Sequence, residues 1–315
     1  PFAQEGKAMK RFFCVLFACM LVLGAAMAIY GYQNGASTSL YWSDGHVYTE
    51  KEFDSLAESE EWTELPEGVS GLALELNNAD VTIRQGDVFH ISADYQRGSA
   101  PEATVENGVL RLRDEASAHI GFGFSLGLSR KENTVTIELP EGALTALDIR
   151  TGVGDLSLED VHLETLTIEM DIGDAALKGV SSESLSVQCD IGDFVLEGGQ
   201  FDTAEFTMNM GTLSYSGAVR TTMLVQSDMG DVDLSGALVG EIEVNANLGT
   251  VRIDSQLPRS AYALDLASNL GSLTVDGERI GTDSIGPSLQ QEDGENSLHV
   301  RADMGDILVQ FAAEE

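Results

Sequence analysis

The chain contains few basic residues and few cysteines, and each shortage excludes a class of protein. Only 17 Lys and Arg stand against 52 Asp and Glu in 315 residues, which gives a net charge of −35. Such a surface repels nucleic acid and anionic lipid head groups, so no nucleic-acid partner is expected. The apolar fraction of 43% is too high for a disordered acidic chain. A folded protein with a neutral or cationic ligand is therefore expected.

The three cysteines do not allow a disulfide framework. Cys14 and Cys19 fall in an apolar N-terminal segment, and Cys189 stands alone in the rest of the chain. Met170 and Met208 lie at equal distances before and after Cys189, in the same column of the repeat described below. Cys189 is therefore predicted to be a small core residue without an intramolecular disulfide partner.

Long uncharged runs are also absent, with one exception near the N-terminus. Phe12 to Tyr30 carries no charge, follows Lys10 and Arg11, and precedes the next basic residue, Lys51. An apolar run of this length can span a bilayer. The positive-inside rule then places the rest of the chain outside the cytoplasm, as the soluble part of a single-pass membrane protein.

The alternative for this segment is a signal peptide, because Ala26-Met27-Ala28 has the form of a cleavage site. That alternative predicts a secreted protein. The predicted organisation is an upstream extension over 1–8, a transmembrane anchor or signal peptide over 9–30, a stalk over 31–66 and one folded domain over 67–315.

The folded domain is predicted from an internal repeat centred on a glycine that follows an aliphatic residue. The first five intervals between these glycines are identical, the sixth is slightly longer, and an eighth copy follows after an insertion. The repeated pairs are Val153-Gly154, Ile172-Gly173, Ile191-Gly192, Met210-Gly211, Met229-Gly230, Leu248-Gly249, Leu270-Gly271 and Met304-Gly305. A period this regular is typical of a solenoid, in which each repeat is one coil stacked on the last.

Apolar residues alternate with polar ones on both sides of the glycine, which predicts two short strands in each coil. Leu72 to Ile83 matches the same columns, with Ala79 at the glycine position. The fold class is therefore all-β, a parallel β-helix or β-solenoid with coils of about 19 residues, preceded by one N-terminal hydrophobic helix. The three strand-like segments between the first coil and Gly154 are predicted to be degenerate coils. The apolar columns lie seven residues before, five before and four after the glycine: Leu147, Leu166, Leu185, Ala204, Met223, Ile242, Leu264 and Leu298; Ile149, Ile168, Val187, Phe206, Val225, Val244, Leu266 and Val300; Leu158, Leu177, Leu196, Tyr215, Leu234, Ile253, Val275 and Val309.

Two polar columns flank each glycine, and they vary together. Where the residue two before the glycine is Asp, the residue one after it is also Asp; where the first is Asn, the second is Thr or Ser. One interpretation is a polar turn, since Asp and Asn hydrogen-bond nearby backbone. The other is a ladder of paired carboxylates that holds Ca²⁺ or another hard cation. The predicted cation ligands are Asp171, Asp174, Asp190, Asp193, Asp228, Asp231, Asp303 and Asp306.

A second candidate site is the insertion from Ile120 to Ser129, in which bulky and small residues alternate. It is predicted to form a hairpin or flap against the solenoid. Its alternative role is an exposed apolar contact for a partner or a membrane. The residues that would make this contact are Phe122, Phe124, Leu126 and Leu128.

Three segments together resemble a known bacterial family. They are the basic start with its apolar span, the first coil L-x-L-N-N-A-D-V-T-I at 74–83, and V-x-I-x-L-P-E-G at 135–142 followed by serial x-G-D-x-x-L corners. These resemble the bacterial putative-adhesin family, exported β-solenoid domains of undefined function, over roughly 68–311. The resemblance implies an extracytoplasmic, membrane-tethered protein associated with adhesion or cell-envelope stress. It implies no catalytic residue, and the corners here are more acidic than is usual in that family.

Three functions are compatible with these observations. The favoured one is a membrane-tethered, adhesin-like binding protein without catalytic activity, with a wall polymer, a cationic peptide or an envelope-stress membrane protein as partner. A structural spacer or assembly module is the first alternative. A polysaccharide-acting β-helix enzyme is the second, but the histidines are scattered and Arg150, Arg220 and Arg252 share no column.

Overall fold

The computed structural model describes residues 17, 20–24, 26–27, 30–31, 39–43, 46–49, 52, 55, 57–95, 100–114, 120–123, 133–281 and 286–314. The chain divides into two compact units. The first comprises residues 1–57 and 117–131, and the second comprises residues 58–116 and 132–315.

A short 3-10 helix at Arg259–Ala261 lies between the twentieth and twenty-first strands. The strands in chain order are β1 Ser39–Ser43, β2 His46–Thr49, β3 Glu58–Trp62, β4 Gly71–Asn78, β5 Asp80–Gln85, β6 His90–Tyr95, β7 Glu102–Glu106, β8 Val109–Arg113, β9 Ile120–Gly123, β10 Thr134–Leu139, β11 Ala146–Val153, β12 Leu156–Glu159, β13 His162–Ile172, β14 Ala175–Lys178, β15 Ser181–Ile191, β16 Phe194–Met210, β17 Leu213–Met229, β18 Val232–Leu238, β19 Glu241–Leu248, β20 Val251–Pro258, β21 Tyr262–Leu270, β22 Leu273–Val275, β23 Glu278–Ile280, β24 Ser288–Gln291, β25 Asn296–Met304 and β26 Ile307–Ala312.

The first unit contains helical residues near the N-terminus and a small sheet. The described residues from 17 to 31 are helical. In the part of the chain that the structure describes, no helical stretch reaches the length and apolar character that a bilayer crossing requires. Strand β1 pairs antiparallel with both β2 and β9. The anchor or signal peptide predicted over 9–30 stays a prediction.

The second unit is the predicted solenoid, built from parallel strands that stack in register. Leu147 pairs with Leu166, and Leu166 pairs with Leu185, so equivalent positions of successive repeats lie directly above one another. The strands on the other side of the glycine stack in the same way, as Leu158 does with Leu177. All members of the three predicted apolar columns are buried. The fold class predicted from the repeat is confirmed.

The coils do not stack entirely in sequence order at the C-terminal end. Strand β25 pairs in parallel with β19 on one side and with β21 on the other. Strand β26 likewise lies between β20 and β22. The last coil of the chain is therefore inserted between the two coils that precede it in sequence, and the coil of β21 and β22 lies outermost. The repeat shows that an eighth coil exists but not where it stacks.

A coil that stacks out of sequence order also explains the long interval between Ala79 and Gly154. The first coil, β4 with β5, stacks directly on β11 with β12. On its other side it meets one further coil, in which β8 pairs with β4 and β10 pairs with β5. The prediction of serial degenerate coils in this interval is therefore corrected to one outer coil with antiparallel companions. Alternation alone marks a strand without saying whether its neighbour runs parallel or antiparallel.

Antiparallel strands cover both outermost coils of the second unit. At the N-terminal end β7 pairs with β8, β6 with β10, and β3 with β6. At the C-terminal end β23 pairs with β22 and β24 with β21. Two of these strands return through tight turns at Asn107-Gly108 and Asp276-Gly277, where positive φ angles suit two-residue hairpins. Residues 58–62 were placed in the stalk by the sequence because ESEEW lacks an apolar alternation, yet their backbone joins the sheet.

The core of the second unit is self-contained among the described residues. Its buried apolar members run from Val69 to Phe311. Aromatic rings meet at its middle, where Phe206 contacts Phe194 and Tyr215 with ring centroids 5.8 and 6.0 Å apart. Because the core draws on this unit alone, residues 58–315, which include the whole unit together with 117–131 of the first, carry what the solenoid needs to fold.

Candidate binding surface at the glycine corner

Each coil turns at its glycine, and Gly192 shows two reasons why the turn requires this residue. Gly192 has a φ of 147°, a conformation that L side chains rarely adopt. A Cβ at this position would also lie closer than 3.0 Å to the carbonyl oxygen of Gly173 in the preceding coil. The same close approach to a neighbouring backbone recurs at the other seven corner glycines, so successive coils are packed against one another along this edge.

The backbone at the corner is paired from coil to coil. The amide of Gly173 donates to the carbonyl of Ile191 at 3.0 Å, and the amide of Gly192 donates to Met210 at 3.0 Å. The series continues through the inserted coil, since Gly249 donates to Met304 and Gly305 donates to Leu270. The corner is consequently a rigid line that presents one set of side chains per coil.

The aliphatic residue before each glycine points outward along this line. These eight side chains are 41–53% exposed, although the residues two positions before each of them are buried. We call this row the apolar ladder. Its members in stacking order are Val153, Ile172, Ile191, Met210, Met229, Leu248, Met304 and Leu270.

The carboxylates after the glycines bind the backbone of the adjacent coil. Asp155 Oδ1 accepts the amide of Asp174 at 3.0 Å, and Asp174 Oδ1 accepts the amide of Asp193 at 2.9 Å. Asp193 Oδ1 in turn accepts the amide of Thr212 at 2.8 Å. These side chains therefore satisfy turn amides that no strand ladder reaches, as the polar-turn interpretation expects.

Two members of this column have lowered pKa values. The amide of Thr250 donates to Asp231, and this bond is the main cause of the lowered pKa of Asp231. The backbone amide and hydroxyl of Ser272 donate to Asp306 and lower the pKa of Asp306. Hydrogen bonds to a carboxylate favour its ionised form, so both side chains stay charged down to lower pH than a free Asp.

The polar column before the ladder is bonded through side chains. Asn209 Nδ2 donates to Asp190 Oδ1 at 2.8 Å. Asn247 donates to Asp228 at 2.7 Å, and Asn269 donates to Asp303 at 2.8 Å. Each neutral coil thus supplies an amide group to the acidic coil beside it.

The stacking order makes acidic and neutral coils alternate, which the sequence order does not. In sequence, the neutral coils of Asn247 and Asn269 are consecutive. In the structure, the coil of Asp303 lies between them, because Met304 pairs with both Leu248 and Leu270. Beyond Asp190, each acidic coil therefore meets only neutral coils. This arrangement separates carboxylates that would otherwise repel at about 4.8 Å, the spacing of neighbouring strands.

The eight Asp residues predicted as cation ligands do not form one continuous ladder. The pairs Asp171 with Asp174 and Asp190 with Asp193 occupy adjacent coils. The pair at 228 and 231 and the pair at 303 and 306 are each separated from other acidic coils by a neutral one. Within the described residues, no three His, Cys, Asp or Glu side chains lie close enough together to hold a metal ion. A Ca²⁺ site at these corners stays a prediction.

A groove runs beside the acidic end of the corner. It has a volume of about 450 Å³. Its lining includes Asp80, Asp155, Asp174 and Asp193, together with small side chains such as Ala176. Four carboxylates therefore follow one another in consecutive coils along this stretch.

Basic residues lie beside the corner rather than in it. The ladder and its two flanking columns contain no Lys or Arg. Arg252 lies on the next outward-facing column and contacts Asp231 Oδ2 and Asp233 Oδ1, each at 3.1 Å. Arg150 pairs with Asp148 and Glu169 at 3.4 and 3.5 Å, on the sheet face before the corner.

The second predicted contact surface is largely outside the described residues. The backbone of Phe122 belongs to β9, where it is paired with Leu40. The side chain of Phe122 and the whole of Phe124, Leu126 and Leu128 lie outside the described part of the chain. Their role as a partner contact stays a prediction.

The sequence reasoning missed the apolar ladder, although its residues defined the repeat. By alternation, the residue before the glycine has the same parity as the buried columns and is expected inside. The turn at the glycine breaks that parity and places it outside. In an unbroken strand a buried residue between exposed neighbours is ordinary alternation, so the flanking acidic residues gave no signal. The signal was the recurring glycine, because it marks a turn at which the alternation ends.

A family model described as Toastrack DUF4097 matches residues 69–310. Among curated proteins, no relative matches this chain. Several solved structures are similar in outline. A putative adhesin from Bacteroides fragilis NCTC 9343 shares 14% identity over 81% of this chain and 97% of its own, with a TM-score of 0.42. A putative cell adhesion protein from Clostridium sporogenes ATCC 15579 shares 16% identity over 81% of this chain and 100% of its own, with a TM-score of 0.27. A putative lipid binding protein from Parabacteroides distasonis ATCC 8503 shares 13% identity over 82% of this chain and 97% of its own, with a TM-score of 0.31.

Proposed function

The chain belongs to the Toastrack DUF4097 family, and on that premise we propose that it is an adhesin-like binding module without catalytic activity, tethered outside the cell membrane. The proposal depends on one observation above the others. Eight aliphatic side chains stand half-exposed in a row on a rigid corner, framed by carboxylates. Isolated exposed apolar residues are ordinary, but a contiguous row of several hundred Å² is a feature of interaction surfaces.

The membrane tether is supported by the distribution of charge along the chain. Lys10 and Arg11 precede the uncharged run from Phe12 to Tyr30, and the following positive charge is at Lys51. This asymmetry favours a cytoplasmic N-terminus and an exported solenoid. An envelope-stress membrane protein or a wall polymer is a candidate partner in that location.

The absence of catalysis is part of the proposal and follows from how the polar groups are used. Within the described residues, Arg150 and Arg252 near the corner are each paired with neighbouring carboxylates, as Arg252 is with Asp231 and Asp233. The corner carboxylates repeat from coil to coil and accept backbone amides. A repeated structural contact differs from an active site, where an acid, a base and an orienting group converge once.

The alternative of an assembly module is less well supported. An exposed strand edge at the end of a solenoid recruits further strands. Here both outermost coils are covered by antiparallel strands, which ends the parallel stacking. Sedimentation of residues 58–315 over a range of concentrations addresses this alternative, and a monomer is the expected result.

Two experiments test the proposal. Cells expressing the full chain with a C-terminal tag are treated with protease before and after lysis, and the solenoid is expected to be cleaved in intact cells. Labelled residues 58–315 are then added to intact cells, beside a ladder variant with Ile172→Thr, Ile191→Thr, Met210→Thr and Met229→Thr. The wild-type domain is expected to bind and the ladder variant to lose most of that binding. Equal binding by the wild-type domain and the ladder variant would show that the corner does not contribute to binding.

A further inference from the structure

The exposed corner carries two kinds of information about what it binds, one apolar and one electrostatic. The apolar ladder has eight rungs, and at about 4.8 Å per coil it extends for about 34 Å. A row of this length matches an extended or rod-like segment better than a small molecule. The row is narrow, because the next residues on both sides are polar.

The electrostatic information comes from the two flanking columns. They contain nine Asp residues and no Lys or Arg. Four lie before the ladder and five lie after it. A ligand that covers the ladder must therefore place positive charge on both of its own flanks. The nine are Asp171, Asp190, Asp228 and Asp303 before the ladder, and Asp155, Asp174, Asp193, Asp231 and Asp306 after it.

The structure itself shows how a cation reaches one of these columns. Arg252 approaches the corner from the adjacent sheet face and places Nη1 at 3.1 Å from Asp231 Oδ2. The other oxygen of Asp231 stays bonded to the amide of Thr250 at 2.8 Å. A guanidinium can therefore bind a corner carboxylate without displacing the hydrogen bond that holds the coil. Lys or Arg side chains of a ligand can use the equivalent oxygens along the column.

We propose that the apolar ladder and its two acidic columns form a docking surface for a cationic amphipathic α-helix. The inference rests on the proposed binding function and names the partner class. A helix of about 22 residues is as long as the ladder, since each residue rises about 1.5 Å. Its apolar residues at i, i+3, i+4 and i+7 form a stripe that lies on the aliphatic rungs, and its Lys and Arg residues on either side reach the carboxylates.

Other occupants fit the charge less well. A second copy of this chain carries a net charge of −35 and would bring acidic columns against acidic columns. An anionic lipid surface is repelled for the same reason. A neutral apolar segment would cover the ladder but leave the flanking carboxylates to be partly desolvated without a partner, which is costly.

The probe is a synthetic peptide, of about the length that matches the ladder, with leucines on one helical face and lysines on both flanks, titrated into residues 58–315 by calorimetry. A peptide of the same composition in scrambled order and a peptide with every Lys replaced by Glu serve as ligand controls. We expect saturable binding of the amphipathic cationic peptide, with a gain of helical circular dichroism. The scrambled and the acidic peptides are expected to bind at least about tenfold more weakly.

Two protein variants and one matched control locate the site. The ladder variant Ile172→Thr, Ile191→Thr, Met210→Thr, Met229→Thr and the charge variant Asp190→Asn, Asp193→Asn, Asp228→Asn, Asp231→Asn are each expected to weaken binding by about tenfold or more. The control removes an equal number of negative charges at exposed positions away from the corner. Its substitutions are Glu164→Gln, Glu183→Gln, Glu205→Gln and Glu241→Gln. It is expected to weaken binding by less than about threefold. Thermal unfolding of each variant verifies that it is folded.

Several outcomes would overturn the inference. One is no saturable binding by the wild-type domain, and another is a ladder variant that is folded and binds as tightly as wild type. Equal losses in the charge variant and its control would mean that only net charge matters. Ladder-dependent self-association or ladder-dependent binding to zwitterionic vesicles would assign the surface to a second copy or to lipid. If the peptide fails while the ladder variant still loses binding to intact cells, the partner class is wrong and the proposed function stands.

Discussion

Replacing Asn247 with Asp tests the stacking order and the charge alternation together. In the structure, the coil of Asn247 lies between the acidic coils of Asp228 and Asp303, whereas Asn269 has one acidic neighbour, Asp303. In sequence order each of the two asparagines would have one. Asn247→Asp and Asn269→Asp are therefore expected to differ only if the last coil is inserted as the structure has it.

The magnitudes follow from the spacing of the coils. Two unit charges about 4.8 Å apart repel by about 0.9 kcal/mol in water and by about 3.5 kcal/mol at an effective dielectric constant of about 20. Because these side chains are largely exposed and screened by salt, about 1 kcal/mol for each acidic neighbour is the appropriate scale. Each variant also loses an amide-to-carboxylate hydrogen bond, at about 1 kcal/mol. Asn247→Asp should thus cost roughly 3 kcal/mol and Asn269→Asp roughly 2 kcal/mol.

Urea unfolding of residues 58–315 at pH 7 and low salt measures these costs, with Asn247→Ala as the control that loses the hydrogen bond without adding charge. The excess cost of Asn247→Asp over Asn247→Ala should shrink in about 1 M salt, where the screening length is about 3 Å. Equal costs for Asn247→Asp and Asn269→Asp would refute the spatial alternation.

Four further predictions concern the core, the corner and its titration. Gly192→Ala should cost roughly 2–3 kcal/mol more than Gly142→Ala in urea unfolding, because Gly192 has a φ of 147° and meets the backbone of the preceding coil, whereas Gly142 has a φ of 70° and open space around it; equal costs would mean that neither the conformation nor the close approach at the corner requires glycine. Tyr215→Phe should raise the free energy of unfolding by about 1 kcal/mol, since the buried hydroxyl has no hydrogen-bond partner among the described residues; a loss of stability would show that the hydroxyl is bonded. The pKa of Asp231 is lowered in the folded state, so the stability that separates wild type from Asp231→Asn should be full above the unfolded value near about pH 3.9 and should decrease as the pH falls towards the lower folded value; a difference that does not change with pH in the acidic range would contradict this. Burial raises the pKa of the Cys189 thiol to about 11, so residues 58–315 should react with a thiol reagent at pH 8 only after unfolding, and rapid reaction of the native domain would place the thiol at the surface.

The repeat and its columns could be predicted from the sequence because each coil reports the same local rule. The position that Ile168 occupies is apolar in every coil, and one such column fixes the facing of a strand. The positions of the corner turns could also be predicted, because the same close approach of two backbones requires glycine at each of them. Family resemblance and periodicity agree on the fold for this reason.

The stacking order could not be predicted, because it depends on non-local pairing. Nothing in the residues of β25 distinguishes β19 from β21 as a neighbour, and the insertion becomes visible only through the parallel pairing on both sides. The alternation of Asp and Asn hinted at it, since sequence order leaves the coils of Asn247 and Asn269 side by side. The antiparallel strand β3 was missed for a different reason: it joins the sheet through its backbone while its side chains remain mostly exposed.

The outward orientation of the ladder was not predicted, because strict alternation was assumed up to the glycine. Met229 lies two residues after Ser227, which is buried, yet Met229 is 48% exposed. The chain turns at the following glycine, and a turn changes which side of the backbone faces the core. A parity argument therefore holds along a strand and fails at its last residue.

The most direct test of the account is photo-crosslinking of the full chain in cells. A photoreactive phenylalanine analogue is placed at Met229 on the ladder and, in a separate variant, at Gln226, which is exposed on the sheet face three residues earlier. A discrete crosslinked species is expected from position 229 and not from position 226. Crosslinks of equal strength from both positions, or from position 226 alone, would contradict the claim that the glycine corner is the surface through which this protein binds its partner.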